Sequence, residues 1–265
     1  MRWDSICLWS VSEGAPLKLI IDTDKKSVII THDDGTQTAT DLYGKEAFAL
    51  LSRLWIKTGW ALKYSYDFTW LGRPLIQLPE DVIRMQELIW NVRPDLIIET
   101  GVAHGGSAVF YAGLLEILGR GRVVSVDIEI RPHNRSAIEA HPLSKRITLI
   151  ERSSTEDRTL QEIRSKIGAG EKVLVVLDSN HARAHVLREL ELYSTLVTPG
   201  SYIVATDGIM FDLDDVPGGR PEWRDDNPKT AAEEFLRTHP EFELDPSYTR
   251  SGITYWPGAY LRREK

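Results

Sequence analysis

The chain has 265 residues, enough for one sizeable domain with an accessory segment, and its 42% hydrophobic and 27% charged content is that of a water-soluble globular enzyme. A formal net charge of −7 speaks against nucleic acid or an anionic membrane as the main partner. The single cysteine, Cys7, excludes an intrachain disulfide and a CxxC zinc site and suits a reducing cytoplasm. The opening MRWDSICLWS carries an acid and no long apolar run, so it does not read as a signal peptide. No stretch approaches the roughly 18 uninterrupted apolar residues of a transmembrane helix.

In chain order, residues 17–31 (LKLIIDTDKKSVIIT) predict a β-hairpin, two β-branched runs around a polar turn. Residues 41–63 predict a helix with Ala47, Leu50, Leu51 and Leu54 on one face. The aromatic, Gly- and Pro-rich stretch 66–81 reads as an ordered loop leading to a helix at 80–92, with Pro79 near its first position. From residue 95 the pattern alternates. Strands are expected at 95–100, 122–128, 147–153, 171–179 and 200–208, and helices at 106–118, 155–167, 182–196 and 229–238. Strand-like segments follow near 242–256. Such alternation predicts an α/β fold with a mostly parallel sheet covered on both faces, whose ligands sit at the carboxyl ends of the strands.

The first strand of this series ends in IIETGVAHGGS, residues 97–107. Glycines at a strand end let the backbone approach a ligand, and the following helix start offers free N–H groups. The spacing is not GxGxxG, and Glu99 would repel a pyrophosphate. It would attract a cation instead. S-adenosylmethionine carries a sulfonium and an ammonium, and its carboxylate can reach N–H groups near Gly105 and Ser107. Asp127, at the end of the next strand, is suited to two ribose hydroxyls. Ser154, beside Ser153 at the third strand end, is a candidate neighbour of the adenine. The same glycines also fit a tight strand–helix turn with no ligand.

Asp178 in VVLDSNH and Asp207 in IVATDG end two further strands. Neighbouring strands lie about 4.8 Å apart, so the two carboxylates can share a hard divalent ion such as Mg²⁺, with Thr206 or Asn180 adding an oxygen. Such an ion lowers the pKa of a bound hydroxyl. His181, three residues after Asp178, is placed to take the proton. The bland alternatives are that the aspartates cap the following segments and that His181 is a surface residue. HARAH lacks the Glu of HExxH, which speaks against zinc.

WLGRPLIQLPED, IIETGVAHGGS, VVLDSNH and LVTPGSYIVATDG, in this order over residues 66–238, resemble the cephalosporin hydroxylase / rhamnosyl O-methyltransferase family. The resemblance implies a Rossmann-like class I S-adenosylmethionine-dependent methyltransferase fold over residues 79–265, with residues 1–78 as an accessory segment. It implies cofactor contacts at Glu99, Gly101, Ser107 and Asp127, metal ligands at Asp178 and Asp207, and a role in tailoring antibiotics or deoxysugars. Relatives tend to carry two acids where this chain has Thr206 and Asp207, which weakens the expected metal site.

The expected function is therefore O-methylation of a natural product, most simply on its deoxysugar, by a homo-oligomer with a small-molecule acceptor and no nucleic-acid or membrane partner. The rivals are a nicotinamide-dependent oxidoreductase and a non-methyltransferase tailoring component. Residues 209–228, a long segment with Phe211, Trp223 and a Gly218/Gly219 pair, read as a mobile lid over the acceptor. WLGRPL, residues 70–75, reads either as the opposite wall or as packing for the N-terminal segment.

Overall fold

The computed structural model describes residues 18–32 and 34–265, so Cys7 and the stretch MRWDSICLWS lie outside the described residues. β1 (Lys18–Asp22), β2 (Ser27–Thr31) and β3 (Gln37–Asp41) form a small antiparallel sheet. The hairpin matches the sequence reading from Lys18 on. The third strand, QTATD, was not anticipated, because most of its side chains are exposed and it shows no apolar alternation. Val28 and Ile30 of β2 pack on Ala47 and Leu50 of α1 (Lys45–Ala61). A 3-10 turn (Tyr64–Asp67) and a hairpin of β4 (Thr69–Trp70) and β5 (Arg73–Pro74) order the stretch read as a loop. α2 (Pro79–Val92) starts on its proline, with Glu80 and Asp81 in the first turn, where the helix dipole favours acids.

Seven strands build the central sheet: β6 (Leu96–Thr100), β7 (Arg122–Asp127), β8 (Ile147–Glu151), β9 (Val173–Leu177), β10 (Tyr202–Ala205), β11 (Phe242–Leu244) and β12 (Tyr260–Arg263). Their order is β11-β12-β10-β9-β6-β7-β8. The pairs from β10 through β8 are parallel, and β12 runs antiparallel to both β10 and β11. The last strand lies later than the expected 242–256, because residues 246–258 form turns broken by Pro257 and Gly258.

The parallel strands are apolar on both faces, as burial on both sides requires. Ile97, Leu174 and Val176 meet α2 and α3 (Gly106–Ile117). Leu96, Ile98, Val173 and Val175 meet α5 (Asp157–Ser165), α6 (Arg183–Tyr193) and α7 (Pro228–Thr238) on the other face. α4 (Pro132–Glu139) escaped the sequence reading because its turns are polar and bury only Asn134 and Ile138.

The chain leaves β6 towards β7 and β8 on one side and resumes with β9 and β10 on the other. The carboxyl ends of β6 and β9 therefore flank the switch point, where open α/β sheets bind ligands. Among the described residues no helix is long and apolar enough to cross a membrane.

Candidate active site

Gly101, Val102 and Ala103 leave β6 beside β9, and their geometry gives the glycines a reason that the sequence did not. A Cβ on Gly101 (φ +90°) would lie 2.0 Å from the Asp178 carbonyl oxygen. One on Gly105 would strike Ile138 of α4, and one on Gly106 the carbonyl of Pro74 at 2.1 Å. The glycines thus fit the loop against its own neighbours, and Gly101 and Gly105 also hold left-handed backbones (φ +90° and +80°). Ala103 also has a left-handed backbone (φ 44°), a conformation that costs an L-residue about 1–2 kcal/mol. Asp127 Oδ2 holds it by accepting from the N–H groups of Val102 (2.7 Å) and Ala103 (3.4 Å). Arg73 braces the loop from outside, donating to the His104 carbonyl (3.0 and 2.6 Å) and to Asn134 Oδ1 (3.0 Å).

Glu99 lies beneath this loop with no exposed surface. Ser125 Oγ donates to its Oε2 at 2.7 Å, and the Ser107 hydroxyl bonds to it as well. Its Oε1 is buried without a partner. Burial pushes its carboxyl up to about 8, against the pull of the two serines. A small cavity of about 50 Å³ opens above, lined by Gln77, Gly101, His104, Gly106, Ser107 and Asp178 among others. The first-turn N–H groups of α3 have no intrahelical acceptor and suit a carboxylate. Acceptor oxygens on the opposite wall suit a cation. That polarity fits the amino-acid end of S-adenosylmethionine.

Ser154, expected beside the adenine, does not line this cavity. It is buried, its Oγ lies 3.4 Å from His185 Nε2, and its carbonyl accepts from the Tyr193 hydroxyl at 3.0 Å.

Asp178, His181 and Asp207 come together with one ligand atom from each within 4.8 Å of the others. Their oxygen, nitrogen and oxygen donors fit a divalent cation. His181 Nε2 stands 3.4 Å from Asp207 Oδ2. Burial and the neighbouring charge of Asp207 push the Asp178 carboxyl up to about 7, and burial also raises Asp207. Asp207 has a left-handed backbone (φ 55°), which aspartate tolerates better than most residues and which turns its carboxylate back towards β9. Thr206 departs from the expected ligand role. It is buried, and its hydroxyl is occupied between the Leu177 carbonyl (3.0 Å) and Asp178 Oδ1 (2.7 Å), so it steadies Asp178 from behind.

A family model described as Rhamnosyl O-methyltransferase/CmcI matches residues 62–264. The chain belongs to this family. It is similar to the rhamnosyl O-methyltransferase of Mycobacterium leprae (strain TN), 33% identical over 200 residues that cover 74% of this chain and 83% of the relative. It is also similar to that of Mycobacterium bovis (strain BCG / Pasteur 1173P2), 30% identical over 158 residues, 58% of this chain and 62% of the relative. Its fold is that of a CmcI structure described with Mg and SAM, with a TM-score of 0.56 at 19% identity over 76% of this chain and 78% of that one. A CmcI apo-structure gives 0.55 at 20% identity over 76% and 77%. This methyltransferase is S-adenosylmethionine-dependent and transfers to oxygen, on a class I fold.

The methyltransferase has a second cavity, of about 350 Å³, lined by Asn180, His181, Met210, Arg220, Glu222 and Trp223 among others. The long segment read as a mobile lid is ordered and tied down. It forms two 3-10 turns, Gly208–Asp212 and Pro221–Arg224. Asp212 is buried and accepts from Arg53 of α1 (Nε, 2.6 Å), and Trp223 stands edge-on to Trp60. A Cβ on Gly219 would meet the Leu213 carbonyl at 1.8 Å, so close packing of the segment on itself requires that glycine. Trp223 faces the cavity, whereas Phe211 lies under Lys229 and faces elsewhere. Of WLGRPL, Pro74 and Leu75 line the cofactor-side cavity and Trp70 stands edge-on to Phe110 in the core, while none of the six residues lines the second cavity.

Two supports escaped the sequence reading. The Trp256 side chain hydrogen-bonds to Asp207. Asp81 of α2 in turn fixes that segment, accepting from the Thr254 hydroxyl and the Tyr255 N–H (2.8 Å). No local motif announces a tryptophan so far along the chain from the aspartate that it serves.

Proposed function

We propose that this methyltransferase acts on a hydroxyl of a natural product, on a rhamnose-type sugar, with a divalent ion, magnesium, assisting. The observation that supports the reading is that Asp178 and His181, which cluster with Asp207, each line a different cavity. Asp178 lines the cofactor-side cavity and His181 the second one, with Trp223. The names of the mycobacterial relatives support a rhamnosyl acceptor, and the CmcI complex with Mg supports the metal.

In this reading Asp127 takes the cofactor's ribose and Glu99 supplies negative charge beneath its cationic end. Asp178 and Asp207 would hold the ion, which lowers the pKa of an acceptor hydroxyl. Trp223 offers an aromatic face to the sugar ring. His181 removes the hydroxyl proton, and Asp207 steadies the resulting imidazolium. The oxygen then attacks the methyl carbon in line. The carbon–sulfur bond breaks with its electron pair going to sulfur, which leaves an ether and a neutral thioether. The exposed apolar surface around Tyr43 and Trp55 supports a homo-oligomer, to be checked by light scattering.

The test is methyl transfer from S-adenosylmethionine with Mg²⁺ to a phenyl α-L-rhamnoside and, separately, to a catechol, read by mass spectrometry. Methylation of the rhamnoside sugar is expected. Transfer to the catechol alone would overturn the sugar acceptor and leave the reaction class standing.

A further inference from the structure

Gln77 is nearly buried, 4% exposed, two residues ahead of α2, and lines the cavity of a glycine loop that begins some way further along the chain at Gly101. Its side chain lies beside Asp178 and Tyr111 and favours the ionised form of each, as an amide N–H turned towards them does. A carboxylate only accepts, so the amide nitrogen faces Asp178. Its oxygen, Oε1, is left buried with no partner. A native core seldom leaves such a carbonyl unmatched, and one that lines a ligand cavity is matched when the ligand arrives. The same cavity presents the first turn of α3, at Gly106 and Ser107, on its other side. One wall therefore donates and the other accepts. The amino-acid tail of S-adenosylmethionine has this polarity, carboxylate at one branch and ammonium at the other. Glu99 does not line the cavity, so its charge acts from one layer below while another group makes the contact.

We propose that Gln77 is a cofactor-binding residue: its side-chain carbonyl accepts a hydrogen bond from the α-ammonium of S-adenosylmethionine while its amide nitrogen holds Asp178. One residue thereby couples the methyl donor to the aspartate that faces the acceptor. The inference rests on S-adenosylmethionine as the cofactor and is independent of the metal and of the sugar.

Calorimetric titration tests it with three probes: S-adenosylhomocysteine, its deaminated analogue, and methylthioadenosine, which lacks the whole tail. Wild-type protein is expected to bind S-adenosylhomocysteine about 10- to 100-fold more tightly than the deaminated analogue, the range for a hydrogen bond to a charged group. Gln77→Met should lose most of that preference and keep methylthioadenosine within about twofold of wild type. Tyr111→Phe should keep it, since Tyr111 is not the partner of Oε1. Equal binding of the two homocysteines by wild-type protein would overturn the proposal without any variant having to fold. So would a Gln77→Met that keeps the full preference, or one that weakens all three probes alike.

Discussion

His181 Nε2 and Asp207 Oδ2 stand 3.4 Å apart, and His181 lines a different cavity from the one that Asp178 lines. An imidazole held there is oriented by a carboxylate and faces the incoming acceptor. The account therefore separates proton removal from metal binding. His181→Gln should lower kcat by about 10²- to 10⁴-fold, the range for general-base catalysis, and leave Mg²⁺ affinity within about threefold. Asp207→Asn should lose the ion. Magnesium titrations of both variants check this; equal loss of the ion in His181→Gln would make the histidine a ligand.

Glu99 gives a proton-linked signature. Burial lifts its carboxyl to about 8, so at pH 7 the cofactor-free protein holds it mostly protonated. A cation bound above favours the ionised form, so binding releases a proton, and affinity rises with pH from about 6 to 7.5. Glu99→Gln keeps the shape and should flatten that rise. Titrations in buffers of different ionisation enthalpy measure the released proton directly.

Asp81 makes the corresponding statement about stability. Its carboxyl is raised to about 8 by burial, from an ordinary value of 3.8. Below pH 4 both the folded and unfolded chains hold the proton. Between about 4 and 8 the unfolded chain releases it and the folded chain does not, so this residue makes stability fall as pH rises, by at most about 1.4 kcal/mol per pH unit. Asp81→Asn should therefore gain on wild type at pH 8 relative to pH 5. Urea denaturation at the two pH values checks the sign; a difference that shrinks on going to pH 8 would contradict it.

Gly101 and Ala103 predict opposite effects within one loop. Gly101→Ala pushes a methyl group into the Asp178 carbonyl and should cost about 2–3 kcal/mol or more. Ala103→Gly relieves a left-handed alanine and should stabilise by about 0.5–1 kcal/mol, after the added chain entropy of glycine. Thermal unfolding of the two variants orders them on either side of wild type.

The strand ends were legible because apolar runs stop at or near Glu99, Asp127, Asp178 and Asp207, and the parallel direction of the four strands brings these residues to the same carboxyl edge of the sheet. The reason for the glycines was not, because it lies in neighbours such as the Asp178 and Pro74 carbonyls that only the fold brings near. Thr206 was read as a ligand from its place beside Asp207; its hydroxyl donates to Asp178, which sequence spacing does not encode. Gln77, Asp81 and Trp256 carry no local signal, since each serves the site from an element far along the chain. The long segment looked mobile because it lacks periodicity, yet ion pairs and aromatic edges such as Asp212 with Arg53 order it without any repeat.

The central claim is that the aspartates hold an ion that activates the acceptor hydroxyl. The most direct measurement is methyl transfer from labelled S-adenosylmethionine to a rhamnoside by wild-type protein and Asp178→Asn, each in chelator and after Mg²⁺ is restored. The account predicts that wild-type turnover is lost in chelator and returns with the ion, and that Asp178→Asn is inactive in both while still binding methylthioadenosine. Full wild-type turnover in chelator would contradict it.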